Sequence, residues 1–478
     1  MKEQVFSAAR VGTQIVTVVA EVSKTHASLP RFSLIGLPQK EVQESRLRIF
    51  SALRQSGIHL PHANVTVNLQ PVDLPKTESA LDLAIALVLL QVHRLIPVQS
   101  YAAVGELGLD GSIRIPKGVY GYLGFLLQEH KKIWLPPLQL PSEIEEKHHS
   151  QIEFVTSLQD VIAICQNKKK GKHQAKPLYF SKKTTILPTN YSRGLLRALE
   201  ICLAGNHHTL LIGSPGLGKT HTKTIVQELM PTLSPLQAWQ RQQTLLSQSW
   251  EANEQRISVA ENALTAFQLL GNNKKLGLLS QTHFGLLFLD ELPAFRPTVL
   301  QILRKILETN SDHDSLFHQD WFPHFVALAT CNPCPCSMRG TKECHCTLQE
   351  VQKYFQKISN PLWDRFDITW RVGKEDLQIM SVADWEDSRE RIRRARKIQE
   401  ERASQGSHFP LFAGQYRWEH IRSITFSQKS KSESENLEKS WRKTIQNARL
   451  ACTIADLQGE QIDTSHLELA RFFQMEMS

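Results

Sequence analysis

The sequence predicts an α/β protein of about three domains, with a parallel sheet in its middle third. Three observations carry that expectation. The chain has 478 residues, more than one ordinary domain holds. Its central stretch alternates short apolar runs with helical patterns, and a glycine-rich turn joins one such run, Thr209 to Ile212, to a following helix. Its composition is globular, with 41% apolar and 22% charged residues, which excludes a disordered or fibrous chain. The formal net charge of +9 favours an anionic partner, nucleic acid or a nucleotide phosphate, and is equally compatible with a plain soluble enzyme.

The elements follow in order. Residues 1 to about 166 form the first domain, in which Ile15 to Ala20 and Val65 to Leu69 read as strands. Gln43 to Leu53 has helical spacing, and Ser79 to Leu90 is the pattern of a helix buried on all sides. Asp110-Gly111 separates two strand-like runs, Ala102 to Leu109 and Ser112 to Ile115, as a hairpin turn does. Residues 167–190 open with a lysine run, Lys168-Lys169-Lys170-Gly171-Lys172, which reads as a solvated linker or, alternatively, a nucleic-acid tail. The middle domain, 191–374, adds the buried strands Phe284 to Leu289 and Val326 to Ala329; the last, 375–478, is helical. The amino terminus lacks an apolar signal region, and the longest apolar run, Leu81 to Val92, is too short to span a bilayer. A cytoplasmic protein with no membrane segment is expected.

Gly213-Ser214-Pro215-Gly216-Leu217-Gly218-Lys219-Thr220 matches the P-loop pattern in full and follows the apolar run Leu210-Leu211-Ile212. The chemistry requires this composition: glycines let amide groups converge on phosphate oxygens, and the next helix start adds its dipole. Lys219 then reaches the β and γ phosphates of ATP, and Thr220 offers a hydroxyl to Mg²⁺. Downstream, Leu286 to Leu289 ends in Asp290-Glu291, two acids at the tip of a buried strand, where ligands of open α/β sheets bind. Asp290 is expected to hold the Mg²⁺ shell and Glu291 to polarise the attacking water. Asn332, at the end of a third apolar run, is placed to orient that water; a turn-capping amide is the plainer alternative.

Five of the eight cysteines lie between Cys331 and Cys346. Crowding in one loop of a long chain points to a metal site in a reducing compartment rather than to a disulfide framework. Cys334, Cys336, Cys344 and Cys346 form two close pairs that can close a tetrahedral Zn²⁺ site, with His345 a spare candidate; free thiols are the alternative.

The motif order is similar to that of the ComM/YifB family of magnesium-chelatase-like AAA+ ATPases, essentially end to end. The matching stretches are Leu29 to Pro38, Glu44-Ser45-Arg46, Val65 to Leu69, Gly105-Glu106-Leu107, Arg197 to Ile201, the P-loop, Phe288 to Pro293, Asn332 to Cys336, Pro361 to Asp367 and Thr453 to Leu457. The resemblance implies an AAA+ P-loop core followed by a helical lid. It implies a hexameric ring in which Arg365 acts on the γ phosphate of the neighbouring subunit. It further implies DNA as partner, with branched strands moved during recombination of incoming DNA. The first domain resembles the Lon-type protease, with Ser79 at the nucleophile; the position of the lysine base is Tyr120, so proteolysis is not expected. Lys117 lies three positions away.

The chain departs from this family at several points. Arg256 to Asn262 keeps almost nothing of an arginine- and histidine-rich motif, and Thr282-His283-Phe284 keeps only its histidine. Cys452 stands where the family has an arginine, and Arg449, on the same helix, is the candidate substitute. The pore hairpin, about 310–323, lacks basic residues, which leaves the arginine-rich stretch Arg389 to Lys397 as the most basic DNA candidate, or else a solvated face with pairs to Glu390 and Glu400. Two other functions remain open: a chelatase-type motor that inserts metal, against which the Lon-like domain weighs, and a nucleotide-binding assembly protein without turnover.

Overall fold

The computed structural model describes residues 3–11, 14–25, 31–36, 39–59, 63–71, 79–129, 132–168, 190–214, 222–245, 256–272, 275–308, 323–372, 377–379, 382–405, 410–424 and 441–474. The chain divides into two compact units: Met1–Phe180 with Leu233–Glu254 and Asn272–Leu276, and the remainder.

Period-two alternation builds the first unit. Its elements are β1 (Gln4–Val11), β2 (Gln14–Thr25), β3 (Phe32–Ile35), α1 (Gln39–Gln55), β4 (Asn64–Gln70), α2 (Asp82–Val92), β5 (Tyr101–Ala103), β6 (Glu106–Leu107), β7 (Ile113–Arg114), α3 (Val119–Glu129), β8 (Ile133–Leu135), α4 (Ser142–His148), β9 (Ile152–Phe154) and α5 (Leu158–Cys165). Seven strands form one sheet in the order β3-β4-β2-β1-β5-β8-β9. Along β1, Val5 and Ala9 join the core under α1 and α2, whereas Ala8 joins the core under α3. Helix α2 is buried on every side from Asp82 to Gln91, as its pattern predicts. Its one acid is matched: Arg48 Nε donates to Asp82 at 2.7 Å, while burial pushes the carboxyl's pKa up against that attraction. The Asp110-Gly111 hairpin is present as β6 against β7, with Gly111 at φ 83° supplying the left-handed turn. The run Ala102 to Leu109 is not one strand, because β5 joins the large sheet and β6 the hairpin.

The second unit opens with β10 (Asn190–Ser192), α6 (Arg193–Gly205), β11 (Thr209–Ile212) and α7 (Thr222–Leu229). The next helix, α8 (Pro235–Leu245), belongs to the first unit. There its Trp239 meets Tyr120 of α3 edge-on at 5.5 Å, and Gly124 leaves room for Gln243. The second unit resumes with β12 (Ile257–Ala260), α9 (Ala266–Leu270), α10 (Leu278–Gln281), β13 (Gly285–Leu289), α11 (Pro297–Glu308), β14 (Phe325–Cys331), α12 (Leu348–Gln356), α13 (Asn360–Trp363), β15 (Ile368–Arg371), β16 (Leu377–Ile379), α14 (Val382–Gln405), α15 (Trp418–Ser423), α16 (Trp441–Gln458) and α17 (Thr464–Phe472). Five of its strands make an all-parallel sheet, β12-β13-β14-β11-β15, and β10 pairs separately with β16. The buried runs cover both faces. Leu211, Leu286, Phe288, Val326 and Leu328 face the core of α6, α7, α14 and α16, and their neighbours Leu210, Leu287, Leu289 and Ala327 face α11 and α12. The motif-poor stretch after Arg256 is the edge strand β12.

Helix α14 differs from a solvated face. Arg393 does pair with Glu390, at 2.5 Å, but the other arginines cross to neighbouring helices. Arg389 binds Glu228 of α7 at 2.9 Å, Arg391 binds Glu200 of α6 at 2.5 Å, and Arg402 binds Asp456 of α16. Periodicity places these side chains on the surface of an isolated helix; packing supplies the acids. Among the described residues no helix is long and apolar enough to cross a membrane.

Candidate functional site

Three strand tips meet at the carboxyl edge of the parallel sheet. Strand β11 lies beside β14, with Ile212 level with Cys331, and β14 lies beside β13, with Leu289 level with Ala329. At a spacing of about 4.8 Å per strand, β11 and β13 stand about 10 Å apart. Gly213 leaves the sheet with its amide donating to the Cys331 carbonyl at 3.1 Å, so the P-loop sequence starts at this edge. Gly213 and Ser214 are described; Pro215, Gly216, Leu217, Gly218, Lys219 and Thr220 lie outside the described residues. Helix α7 begins at Thr222, so strand and helix flank the loop as a phosphate cradle requires.

The acids are held from the neighbouring strand. The Thr330 hydroxyl donates to Asp290 Oδ1 at 2.6 Å and accepts from the Glu291 amide at 3.0 Å. Glu291 sits at φ 57°, a left-handed conformation that turns its side chain out of the strand path. Asn332 Nδ2 donates to Glu291 Oε1 at 2.8 Å. Both acids are exposed, as a group meeting a ligand must be. One oxygen of Glu291 is thereby fixed and the carboxylate oriented, which suits a base that must aim at a water. Thr330 was missed by sequence reasoning, although a hydroxyl two positions before Asn332 on a buried strand is a readable signal. Tyr354, whose hydroxyl accepts from the Asn332 amide at 3.3 Å, was also missed and leaves no such trace.

The four cysteines converge. Sγ of Cys334 lies 3.3 Å from that of Cys336 and 3.9 Å from that of Cys344, Cys336 and Cys344 are 3.6 Å apart, and all four sulfurs lie within 4.8 Å of one another. Zn–S bonds of about 2.3 Å in a tetrahedron set S···S edges near 3.8 Å, so the set fits zinc. The thiols also act on one another. The Met338 amide and the thiols of Cys346 and Cys334 bring Cys336 down to about 6, while Cys346, favoured by the Cys336 amide, is pushed up to about 12 by its hydrogen bond with Cys336 and by burial. Thiolates are the metal-binding form of cysteine, so binding a cation here is coupled to loss of the thiol protons. His345 is not part of the cluster.

Arg365 stands elsewhere. Strand β15 starts with Ile368 level with Thr209, the first residue of β11, so Arg365 belongs to the amino edge of the sheet, opposite Gly213. The neighbouring Asp367 is engaged with His207 Nδ1 at 2.9 Å; burial opposes its charge, but that hydrogen bond holds it below the usual carboxylate range. Arg449, the candidate substitute for the missing arginine, lies near the amino edge of the sheet. Its Nε donates to the Tyr416 carbonyl at 2.5 Å, and its charge acts on Asp367, at the amino edge. Cys452 is a core residue, fully buried, its thiol pushed up to about 12. The pore hairpin, about 310–323, lies outside the described residues except at its last position.

In the first unit, Ser79 opens a short 3₁₀ turn before α2 and donates to Glu106 at 2.5 Å, so its hydroxyl is held by a carboxylate. Burial pushes the Tyr120 phenol up to about 12, which removes it further from the role of a base.

Three family models match the chain in succession: subunit ChlI of magnesium chelatase at residues 20–138, magnesium chelatase subunit ChlI at 192–380, and its C-terminal part at 384–474. The first of these falls on the first unit, so that region does not separate a chelatase-type from a ComM-type reading. Competence protein ComM of Haemophilus influenzae is 30% identical over 427 residues, 84% of this chain and 83% of its own. Uncharacterized protein YifB of Escherichia coli is 30% identical over 387 residues, 77% and 74% of the two chains. Its namesake in Salmonella typhimurium is 29% identical over 395 residues, 79% and 77%.

Proposed function

The chain belongs to the ComM/YifB family of magnesium-chelatase-like proteins, and on that premise we propose that it is an ATP-hydrolysing AAA+ motor that acts on DNA. The observation that carries the reading is the convergence of Gly213, Asp290, Glu291 and Asn332 at one sheet edge, with Glu291 held by Asn332 at 2.8 Å. In this reading the amides of residues 213–218 and the Lys219 ammonium grip the triphosphate. Thr220 and Asp290 would hold Mg²⁺, which when bound would neutralise the charge that develops on the phosphates. Glu291 takes the proton of the attacking water, and Asn332 keeps that carboxylate and the water aligned. Arg365, on the far edge of its own sheet, serves the γ phosphate of an adjoining copy, which makes a closed ring, hexameric by family resemblance, part of the proposal. The cysteine knuckle holds a structural Zn²⁺, since four thiolates leave no open position for chemistry.

DNA as partner is supported by the +9 charge and by the likeness to a competence protein. The arginines of α14 that pair with Glu228, Glu200 and Asp456 are engaged within the chain and are not counted toward it. The role proposed is branch migration during recombination of incoming DNA. The first unit is read as a Lon-like fold without protease activity, because Ser79 faces a carboxylate and not an amine. A chelatase-type motor is the second reading, favoured by the description of the matching models.

Phosphate release measured with and without four-way junction DNA tests the proposal. Turnover stimulated by the junction and abolished in Lys219→Ala is expected. Equal turnover in wild type and Lys219→Ala overturns the ATPase assignment, and turnover indifferent to DNA turns the choice toward the chelatase-type motor.

A further inference from the structure

The cysteine knuckle is attached at both ends to Asn332. On one side, Cys334 follows Asn332 by two residues and is fully buried in the core beneath the sheet. On the other, Cys346 runs directly into Thr347, the N-cap of α12. That cap is a reciprocal box: Thr347 Oγ1 accepts from the Glu350 amide at 3.3 Å, and the Glu350 carboxylate accepts from the Thr347 amide at 2.8 Å. Two turns along α12, the hydroxyl of Tyr354 returns to accept from the Asn332 amide at 3.3 Å. Between Cys334 and Cys346 the circuit Asn332, Cys334, Cys346, Thr347, α12, Tyr354, Asn332 runs through the loop that the four sulfurs fold together, and a cation bound by them ties its two ends directly.

We infer that the four-cysteine site and Tyr354 form a metal-locked brace that positions Asn332 against Glu291, so that metal occupancy sets turnover without taking part in nucleotide binding. The inference rests on the ATPase reading above. Its chemistry is that of a thiophilic divalent cation, zinc by the sulfur spacing. A cation joining Cys334 to Cys346 shortens a free loop to a rigid ring, so the end of β14 and the start of α12 move as one body. Tyr354 is the positioning residue that converts this rigidity into a fixed Asn332 backbone. Asn332 in turn fixes one oxygen of Glu291. The P-loop sequence follows β11 and precedes α7, elements other than the β14 and α12 that the brace joins, which separates binding from turnover.

The test uses the full chain purified with zinc, its metal content measured by atomic emission. Tyr354→Phe deletes one hydroxyl and leaves every cysteine in place. It is expected to retain one zinc per chain and a KM for ATP within about twofold of wild type, while kcat falls about tenfold, the loss of one hydrogen bond at 1.36 kcal/mol per decade. Amide hydrogen exchange of the Asn332 peptide is expected to speed up about tenfold in Tyr354→Phe, and equally in wild type stripped of zinc by a chelator. Restoring zinc restores wild type but not the variant. A metal-free preparation from zinc-replete growth overturns the inference. So does exchange at Asn332 that ignores zinc, an unchanged kcat in Tyr354→Phe, or a loss of ATP binding equal to the loss of kcat. If wild type itself hydrolyses no ATP, the ATPase reading has failed, and the exchange arm still decides whether the brace exists.

Discussion

The two edges of the parallel sheet in the second unit are built from the same strands and do opposite things with polar groups. At the carboxyl edge, Asp290 and Glu291 are exposed, and their partners Thr330 and Asn332 hold them without covering them. At the amino edge, polar groups are sealed. His207 is fully buried between Asp367 at 2.9 Å and Thr453 Oγ1 at 2.7 Å, and His208 Nδ1 accepts from the Ala327 amide at 3.0 Å. The contrast separates function from stability. Hydrogen bonds at an open edge orient groups for a ligand; those at a closed edge satisfy groups whose unmatched burial costs free energy.

Substitutions can break this comparison, the largest effect first. Glu291→Gln at the open edge is expected to lower phosphate release by about a hundredfold or more while bound ATP is retained, as filter-binding with labelled nucleotide would show. Its melting temperature should match wild type. Asp367→Ala at the closed edge strands His207 and should cost about 3 kcal/mol of stability, visible as a fall in melting temperature by several degrees. Should Asp367→Ala melt like wild type and Glu291→Gln unfold, the two edges have been assigned the wrong way round.

Smaller effects sharpen the contrast. Thr330→Val keeps the shape of a buried side chain and removes both hydrogen bonds to the acids. Turnover should fall about tenfold, with a stability change of about 1 kcal/mol in chemical denaturation. His208, lowered to about 4 by burial, gives a pH signature. The unfolded chain takes up this proton near 6.5 and the folded chain only near 4, so stability should fall as pH drops from about 6.5 to 4 and level off below. A His208→Asn variant, whose side-chain carbonyl can still accept from Ala327, should lose that component. If the difference between the two denaturation curves is flat across this window, His208 is not the titrating group.

The open edge was legible because its parts are contiguous in sequence. Ile212 runs into Gly213, Leu289 into Asp290-Glu291, and the third apolar run ends beside Asn332, so strand pattern and chemistry sit within a few residues of each other. The knuckle was legible for the same reason. The closed edge was not, since Asp367 and Thr453 lie 160 and 246 positions from His207, and no local pattern ties them. Nor did the pattern of α14 reveal that Arg389, Arg391 and Arg402 find their acids on α7, α6 and α16.

Local order along the chain thus determined the alternation of strands and helices, the chemistry at each strand tip and the pairing of cysteines two by two, because side-chain period and motif spacing are short-range properties. Tertiary structure alone decided that helix α8 packs in the first unit, that Arg449 serves the amino edge and that Tyr354 reaches Asn332. Each of those depends on where a distant surface lies once two apolar faces have been buried against each other, and burial is non-directional: it says which side of a helix turns inward but not which partner it meets.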